Sequence, residues 1–247
     1  MNRESFVLLG GTAALLLQVA HPLVAAGVSE HSDFRRDPIG RLMRTLNTTL
    51  AMVFGTTPQA KAALVRVDRR HLAVRGTAPS GKRYDAHDPR LVVWVQTTLV
   101  LTSLRLYELV MGPLTGSDRE SYWQEARFFA RQLGATDAEL PSTYADLVAY
   151  ERAMLASEVI PDANAIAVGH DVLRPVRWLP GPLLWGSHAM ASGLVPPSLR
   201  LAFGLPWRAR ERLFFRAVIV ALRFVLPLLP DRIRYVPQAR RYEVRLR

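Results

Sequence analysis

Ser5-Phe-Val-Leu-Leu-Gly-Gly-Thr-Ala-Ala-Leu-Leu-Leu-Gln-Val-Ala-His-Pro-Leu-Val-Ala-Ala-Gly-Val-Ser29 contains no Asp, Glu, Lys or Arg. A run of that length can cross a bilayer, and with Arg3 ahead of it, it also has the look of a secretory signal. Gly10-Gly11, Gln18, His21 and Pro22 interrupt the apolar run, however, and the Arg3-Glu4 start is not strongly cationic. A buried central helix in a large α-domain accounts best for these insertions, with a span or anchor and a cleaved signal as the alternatives. Gly10-Gly11 reads as a place where helices approach closely.

The rest of the chain continues the helical pattern with short breaks. Asp33–Pro38 reads as a loop, followed by a helix from about Ile39 to Phe54. Thr57-Pro58-Gln59 opens the next helix and Gly76 closes it. Thr77–His87 is polar and suits a short hairpin or an ordered loop. Asp88-Pro89 caps a long apolar helix to about Met111, ended by Gly112-Pro113. Ser117-Asp118-Arg119-Glu120 reads as a capping box for a helix to Leu133, and Pro141-Ser142 starts another to about Val159. Shorter helices are expected over Asp162–Val172, Pro182–Ser192 and Pro197–Phe203, and a long one from Pro206 to about Leu226. The expected class is all-α, with residues 1–247 as a single multi-helix domain and Arg174–Pro182 as its one plausible subdivision.

Composition narrows the chemistry. The 247 residues are 49% hydrophobic and 21% charged, which excludes wholesale disorder. Without cysteine there is no disulfide, thiolate-ligated haem, iron–sulfur cluster or cysteine zinc site. The net charge of +11 is concentrated at the end: Pro206–Arg247 holds eleven Arg against Glu211, Asp231 and Glu243, a net of +8. This basic helix and tail suggests an anionic membrane surface at least as readily as nucleic acid. A solvated basic face is the plain alternative.

Several catalytic signatures are absent. No His-x-x-x-His or Glu-x-x-His occurs on a helix, and there is no Gly-x-Ser-x-Gly, P-loop or Gly-x-Gly-x-x-Gly. What stands out is His71. At about 100° per residue, Ala60, Leu64, Val67, His71 and Val74 share one sector of their helix while Arg66, Arg69 and Arg70 point away. An inward imidazole there is either a core histidine bonded to a backbone carbonyl or a metal ligand. Arg41, Arg44 and Thr45, at i, i+3 and i+4, share a face that is either solvated or turned to an anion or polar ligand. Glu30 and His31 read as ordinary loop residues or as a base and its partner. Trp94 and Gln96 read as core plus one satisfied amide.

A set of short motifs runs through the chain in order: Leu15-Leu16-Leu17-Gln18-Val19-Ala20-His21-Pro22, Ala25-Ala26-Gly27-Val28, His31-Ser32, Asp37-Pro38, Gly40-Arg41, Arg44-Thr45, Phe54-Gly55-Thr56, Arg70-His71, Val74-Arg75-Gly76, Tyr84-Asp85-Ala86-His87-Asp88-Pro89 and Trp94-Val95. Together they resemble the domain shared by latex-clearing proteins (rubber oxygenases) and MpaB-type oxygenases, over roughly residues 5–235.

The resemblance implies an all-α protein carrying haem b, an iron cofactor, and using dioxygen to cleave carbon–carbon double bonds in isoprenoid chains. It assigns the iron ligand to His71 and the distal side to Arg41, Arg44 and Thr45. His21 is carried as a further cofactor contact and Glu30 as the nearest counterpart of the family's catalytic glutamate. Arg44 stands where relatives have a lysine that caps the iron. A guanidinium is a poor iron ligand, so that capped form is not expected here and Arg44 is expected to hold a propionate or the bound oxygen. Gln96 stands where many relatives place histidine. Asp68, one turn back from His71, is the expected acceptor for the second ring nitrogen. The expected function is a haem-dependent oxygenase acting on an apolar isoprenoid or lipid-like alkene. Its alternatives are a non-catalytic haem- or lipid-binding protein and a membrane-associated structural protein. No nucleic-acid partner is expected, and the expected location is the cytoplasm or the periphery of a membrane.

Overall fold

The computed structural model describes residues 1–32, 36–176 and 178–246. Part of the loop expected over Asp33–Pro38, Arg177 within Arg174–Pro182, and Arg247 lie outside the described residues. The architecture is all-α: among the described residues there are thirteen α-helices and one two-stranded hairpin. The charge-free N-terminal run does go to the centre, but not as one helix. It forms a 3-10 turn (Ser5–Gly10), α1 (Gly11–Val19) and α2 (Pro22–His31). No single described helix is long and apolar enough to cross a membrane, and Ser5–Val19 meets Pro22–His31 at 106°.

The bend has a local cause. Pro22 has no N–H to continue α1, and the His21 side chain caps α2, its Nδ1 accepting from the Leu23 amide at 3.2 Å. Leu16, Leu17, Ala13 and Ala20 are fully buried, and α1 packs against α5 (Pro89–Met111), α8 (Ala163–Leu173) and α9 (Gly181–Leu194). Trp94, fully buried on α5, donates its indole N–H to Leu17 O at 3.2 Å, locking the central pair. The Gln96 amide donates to Ala126 O at 3.1 Å, so both residues behave as core plus one satisfied amide. Of the two glycines, only Gly10 marks a close approach: a Cβ there would stand 3.1 Å from Thr102 Cγ2, whereas Gly11 faces open space.

Around this centre stand α6 (Gly116–Gln132), α7 (Tyr144–Ser157), α10 (Pro197–Ala202) and α11 (Ala209–Val225). The capping boxes are Thr115 with Asp118 for α6 and Thr143 with Asp146 for α7. Both caps correct the expected start residues by about two positions, because threonine satisfies the N3 amide from just outside the helix. The basic C-terminal region is not a tail: after the 3-10 turn Leu226–Leu228 come α12 (Asp231–Arg234) and α13 (Pro237–Leu246).

Those last elements clasp the beginning of the chain. Val236 N donates to Arg3 O at 2.8 Å and Ser5 Oγ to Ile233 O at 3.1 Å. The Arg234 guanidinium meets the buried Glu4 carboxylate at 2.9 Å. α13 also packs on α3 (Pro38–Phe54), where Val236 and Ala239 bury Leu50.

Candidate functional site

Arg41, Arg44, Thr45 and His71 lie on a helical hairpin formed by α3 and α4 (Thr57–His71), joined through Gly55-Thr56, whereas Glu30 and His21 belong to α2 and its cap. Thr56 and Gln59 close a reciprocal capping box, and Pro58 sits in the first turn. Arg41 precedes the end of α3 by thirteen residues and His71 follows the start of α4 by fourteen. At 1.5 Å rise per residue both lie about 20 Å from the turn, level with each other along the hairpin.

The α4 stripe is as its periodicity implies: Ala60, Leu64, Val67, His71 and Val74 are half-buried, Arg66, Arg69 and Arg70 exposed. The helix ends earlier than expected. His71 is its last residue, and Gly76 belongs to β1 (Arg75–Thr77), paired antiparallel with β2 (Arg83–Asp85). Gly76 lies opposite Tyr84, and a Cβ there would stand 2.6 Å from the Tyr84 hydroxyl. The hairpin brings His87 edge-on to His71, with ring centroids 5.7 Å apart.

The second expected feature of His71 is corrected by the same hairpin. Asp68 serves His87 instead: His87 Nε2 lies 2.9 Å from Asp68 Oδ1, and its Nδ1 lies 3.7 Å from Asp85 Oδ1. His71 Nδ1 is buried and has no hydrogen-bond partner in the protein. Burial, and then the neighbouring His87, push the His71 pKa below the usual histidine value, with Asp68 and Asp85 opposing weakly. A neutral imidazole with a buried, unpaired nitrogen fits a metal-ligand role, since such an atom costs free energy unless something meets it. No group of three or more metal-binding side chains occurs among the described residues.

Arg41, Arg44 and Thr45 do not act alike. Arg44 is exposed and turned back to the start of its own helix, its Nη1 donating to Asp37 Oδ2 at 2.8 Å. Asp37 also caps α3 through the Gly40 amide at 2.9 Å, and these bonds hold its carboxyl below the ordinary aspartate range. Thr45 is exposed, while Arg41 is half-buried. Burial, then the charge of Arg44, lowers the Arg41 pKa. Of the two arginines, Arg41 is therefore the one whose charge is less supported by solvent.

Glu30, at the end of α2, accepts from the Tyr84 hydroxyl at 2.5 Å, and His31 Nε2 lies 3.0 Å from the same hydroxyl. Burial, then the bond to Glu30, pushes the Tyr84 pKa up to about 12, so the phenol stays protonated. Tyr84 packs with Ala26, Ala78 and Leu91, alongside Leu23, Val24 and Val74, an apolar cluster beside the His71 end of α4. His21 lies elsewhere in its bonding: besides capping α2, its Nε2 is 3.8 Å from Glu158 Oε2. Tyr84 and His87 stand in a motif already quoted from the sequence, but their roles come from a strand pairing that periodicity does not show.

Residues 1–224 match the catalytic domain described as ER-bound oxygenase mpaB/B'/Rubber oxygenase. Two curated relatives are similar along most of their length: the uncharacterized proteins Mb2261 of Mycobacterium bovis and Rv2237 of Mycobacterium tuberculosis. Each is 27% identical over 235 residues, covering 89% of this chain and 89% of the relative.

Proposed function

The chain belongs to the mpaB/rubber oxygenase catalytic-domain family, and we propose that it is a haem b-dependent oxygenase that cleaves or oxygenates a carbon–carbon double bond in an isoprenoid or lipid-like substrate. The observation that carries this reading is the buried, partnerless Nδ1 of a neutral His71. In this reading His71 ligates the iron and Arg41, level with it on α3, supports an anionic group such as a haem propionate. Haem, when bound, supplies the chemistry that activates dioxygen.

The chain's own residues then have separable tasks. The His71 imidazole stays uncharged because burial disfavours its cationic form, which keeps a nitrogen lone pair for metal. Tyr84, Leu91, Ala26 and Val74 exclude water beside it and suit an apolar substrate better than a polar one. Glu30, held through one oxygen by Tyr84, is the carboxylate available to move a proton. Arg44 is committed to Asp37, which speaks against the alternative of a non-catalytic haem carrier with Arg44 closing the distal side.

Titration of the purified protein with haemin tests the reading. A Soret band that saturates at one haem per chain, shifts under carbon monoxide, and is lost in His71→Ala is the expected result. An unchanged spectrum in that variant would remove His71 as ligand. Incubation with an isoprenoid alkene under oxygen separates oxygenase from carrier, because only the enzyme yields aldehyde or ketone.

A further inference from the structure

The outer face of α11 is apolar and uncovered. Leu213, Ala217, Val220 and Phe224 recur at spacings of four, three and four, so they fall within about 60° of one another around the helix. Leu213 is 70% exposed and Phe224 73%, and Val220 and Ala217 are exposed as well. Leu228, in the 3-10 turn that extends α11, is 83% exposed. The opposite face is the one the fold uses: Phe215, Ile219 and then Leu226 are buried, with α11 packed on α9 and α5.

The flank of this stripe is cationic. Arg212, Arg216 and Arg223 cluster on one side of it by helical spacing. Arg212 donates to Trp207 O at 2.9 Å and Arg223 to Leu109 O at 2.7 Å, which orients both guanidiniums without neutralising them. Between Arg208 and Pro230 the one acidic residue is Glu211. It is fully buried and spent on the Arg208 amide, Trp185 and Arg210. The exposed side of α11 therefore presents apolar side chains and positive charge with no carboxylate of its own.

We propose that α11 is a membrane-docking helix that lies in the plane of an anionic lipid surface. Leu213, Val220, Phe224 and Leu228 enter the acyl boundary, and Arg212, Arg216 and Arg223 sit at headgroup level, where their stems cover apolar surface and their charges meet lipid phosphate. Charge complementarity selects this occupant over a second copy of the chain, because a second α11 face brings further arginine and no exposed carboxylate to pair with it. Lipid docking on α11 is independent of whether α3 and α4 hold haem.

Co-sedimentation with vesicles tests it, comparing phosphatidylcholine alone with phosphatidylcholine containing about one-third phosphatidylserine. In about 0.1 M salt the wild type is expected to partition onto the anionic vesicles and to release severalfold as salt screens the headgroups. Phe224→Glu with Leu228→Glu should weaken partition by about tenfold or more, since two exposed anchors become anions. Its helical circular dichroism should be unchanged, because both side chains are already in solvent. Arg212→Gln with Arg216→Gln should reduce the preference for anionic over neutral vesicles. Three results overturn the proposal: no binding by the wild type, equal binding by the Phe224/Leu228 variant, or a lipid-free dimer that this variant dissolves.

Discussion

Replacing His71 by leucine should make the haem-free protein more stable and the haem-loaded protein less so. Leucine has about the volume of imidazole but no buried Nδ1 left without a partner. Relief of such an atom is worth about 1–3 kcal/mol. Loss of the edge-on contact with His87, at 5.7 Å between centroids, takes back about 0.5–1.5 kcal/mol. The net gain is about 1 kcal/mol, which for a chain of this size raises Tm by about 2–4 °C. Haem at a hundred times its Kd adds about 2.7 kcal/mol to the wild type and nothing to a variant without the ligand. Differential scanning fluorimetry with and without haemin should therefore show the two Tm values exchange order. If haem-free His71→Leu is the less stable protein, Nδ1 has a structural role. If haem raises both equally, His71 is not the ligand.

His21→Asn keeps a side-chain acceptor for the Leu23 amide and removes a titrating group. Burial, against the opposing charge of Glu158, lowers the His21 pKa below 6.5. The unfolded chain therefore takes up the proton first, and stability present above pH 6.5 is lost as pH falls towards the folded value. Urea midpoints between pH 8 and 5 should fall less steeply in the variant. Tyr84→Phe removes the donor to Glu30 and the acceptor for His31. It should cost about 0.5–1.5 kcal/mol in chemical denaturation and lower product formation, whereas a change confined to stability would leave Glu30 without a role. Trp94→Phe orphans the buried Leu17 carbonyl and opens a cavity, at about 1–3 kcal/mol by the same measurement. At low pH, Glu211 sets a further limit: its hydrogen bonds from Trp185, Arg210 and Arg208 outweigh burial and hold it at about 2. Its contribution should fade as pH falls from about 4.5 towards that value, and Glu211→Gln should flatten that arm of the stability profile.

Helix existence was largely readable from caps and apolar spacing, because those signals are local. Asp88-Pro89 and Gly112 bracket α5 as the sequence implies. The charge-free run announced a buried centre, but composition carries no angle, and the 106° bend depends on what His21 and Pro22 do together. α12 and α13 are hard to read from sequence because Pro230, Pro237 and dense arginine mask two short helices that rest on contacts with residues far away in sequence. The inward position of His71 was periodic and therefore legible. Its neighbours were not: a three-residue strand pairing puts His87 where it captures Asp68, a competition that no spacing on α4 encodes. The partner of Arg44 was illegible for a similar reason, since the aspartate at its own helix start holds it in a way that helical phase alone does not encode.

The clasp between the two ends of the chain bears on how the protein is made. Arg3, Glu4 and Ser5 leave a ribosome about 230 residues ahead of their partners Val236, Arg234 and Ile233. At about 5–20 residues per second the interval is roughly 10–50 s. For most of that time the charge-free N-terminal segment has emerged while at least one of the helices α5, α8 and α9 that enclose it is still missing. Nascent chains should therefore depend on a holding factor that recognises uncharged helix, and the fold should close late, when the C-terminal elements arrive.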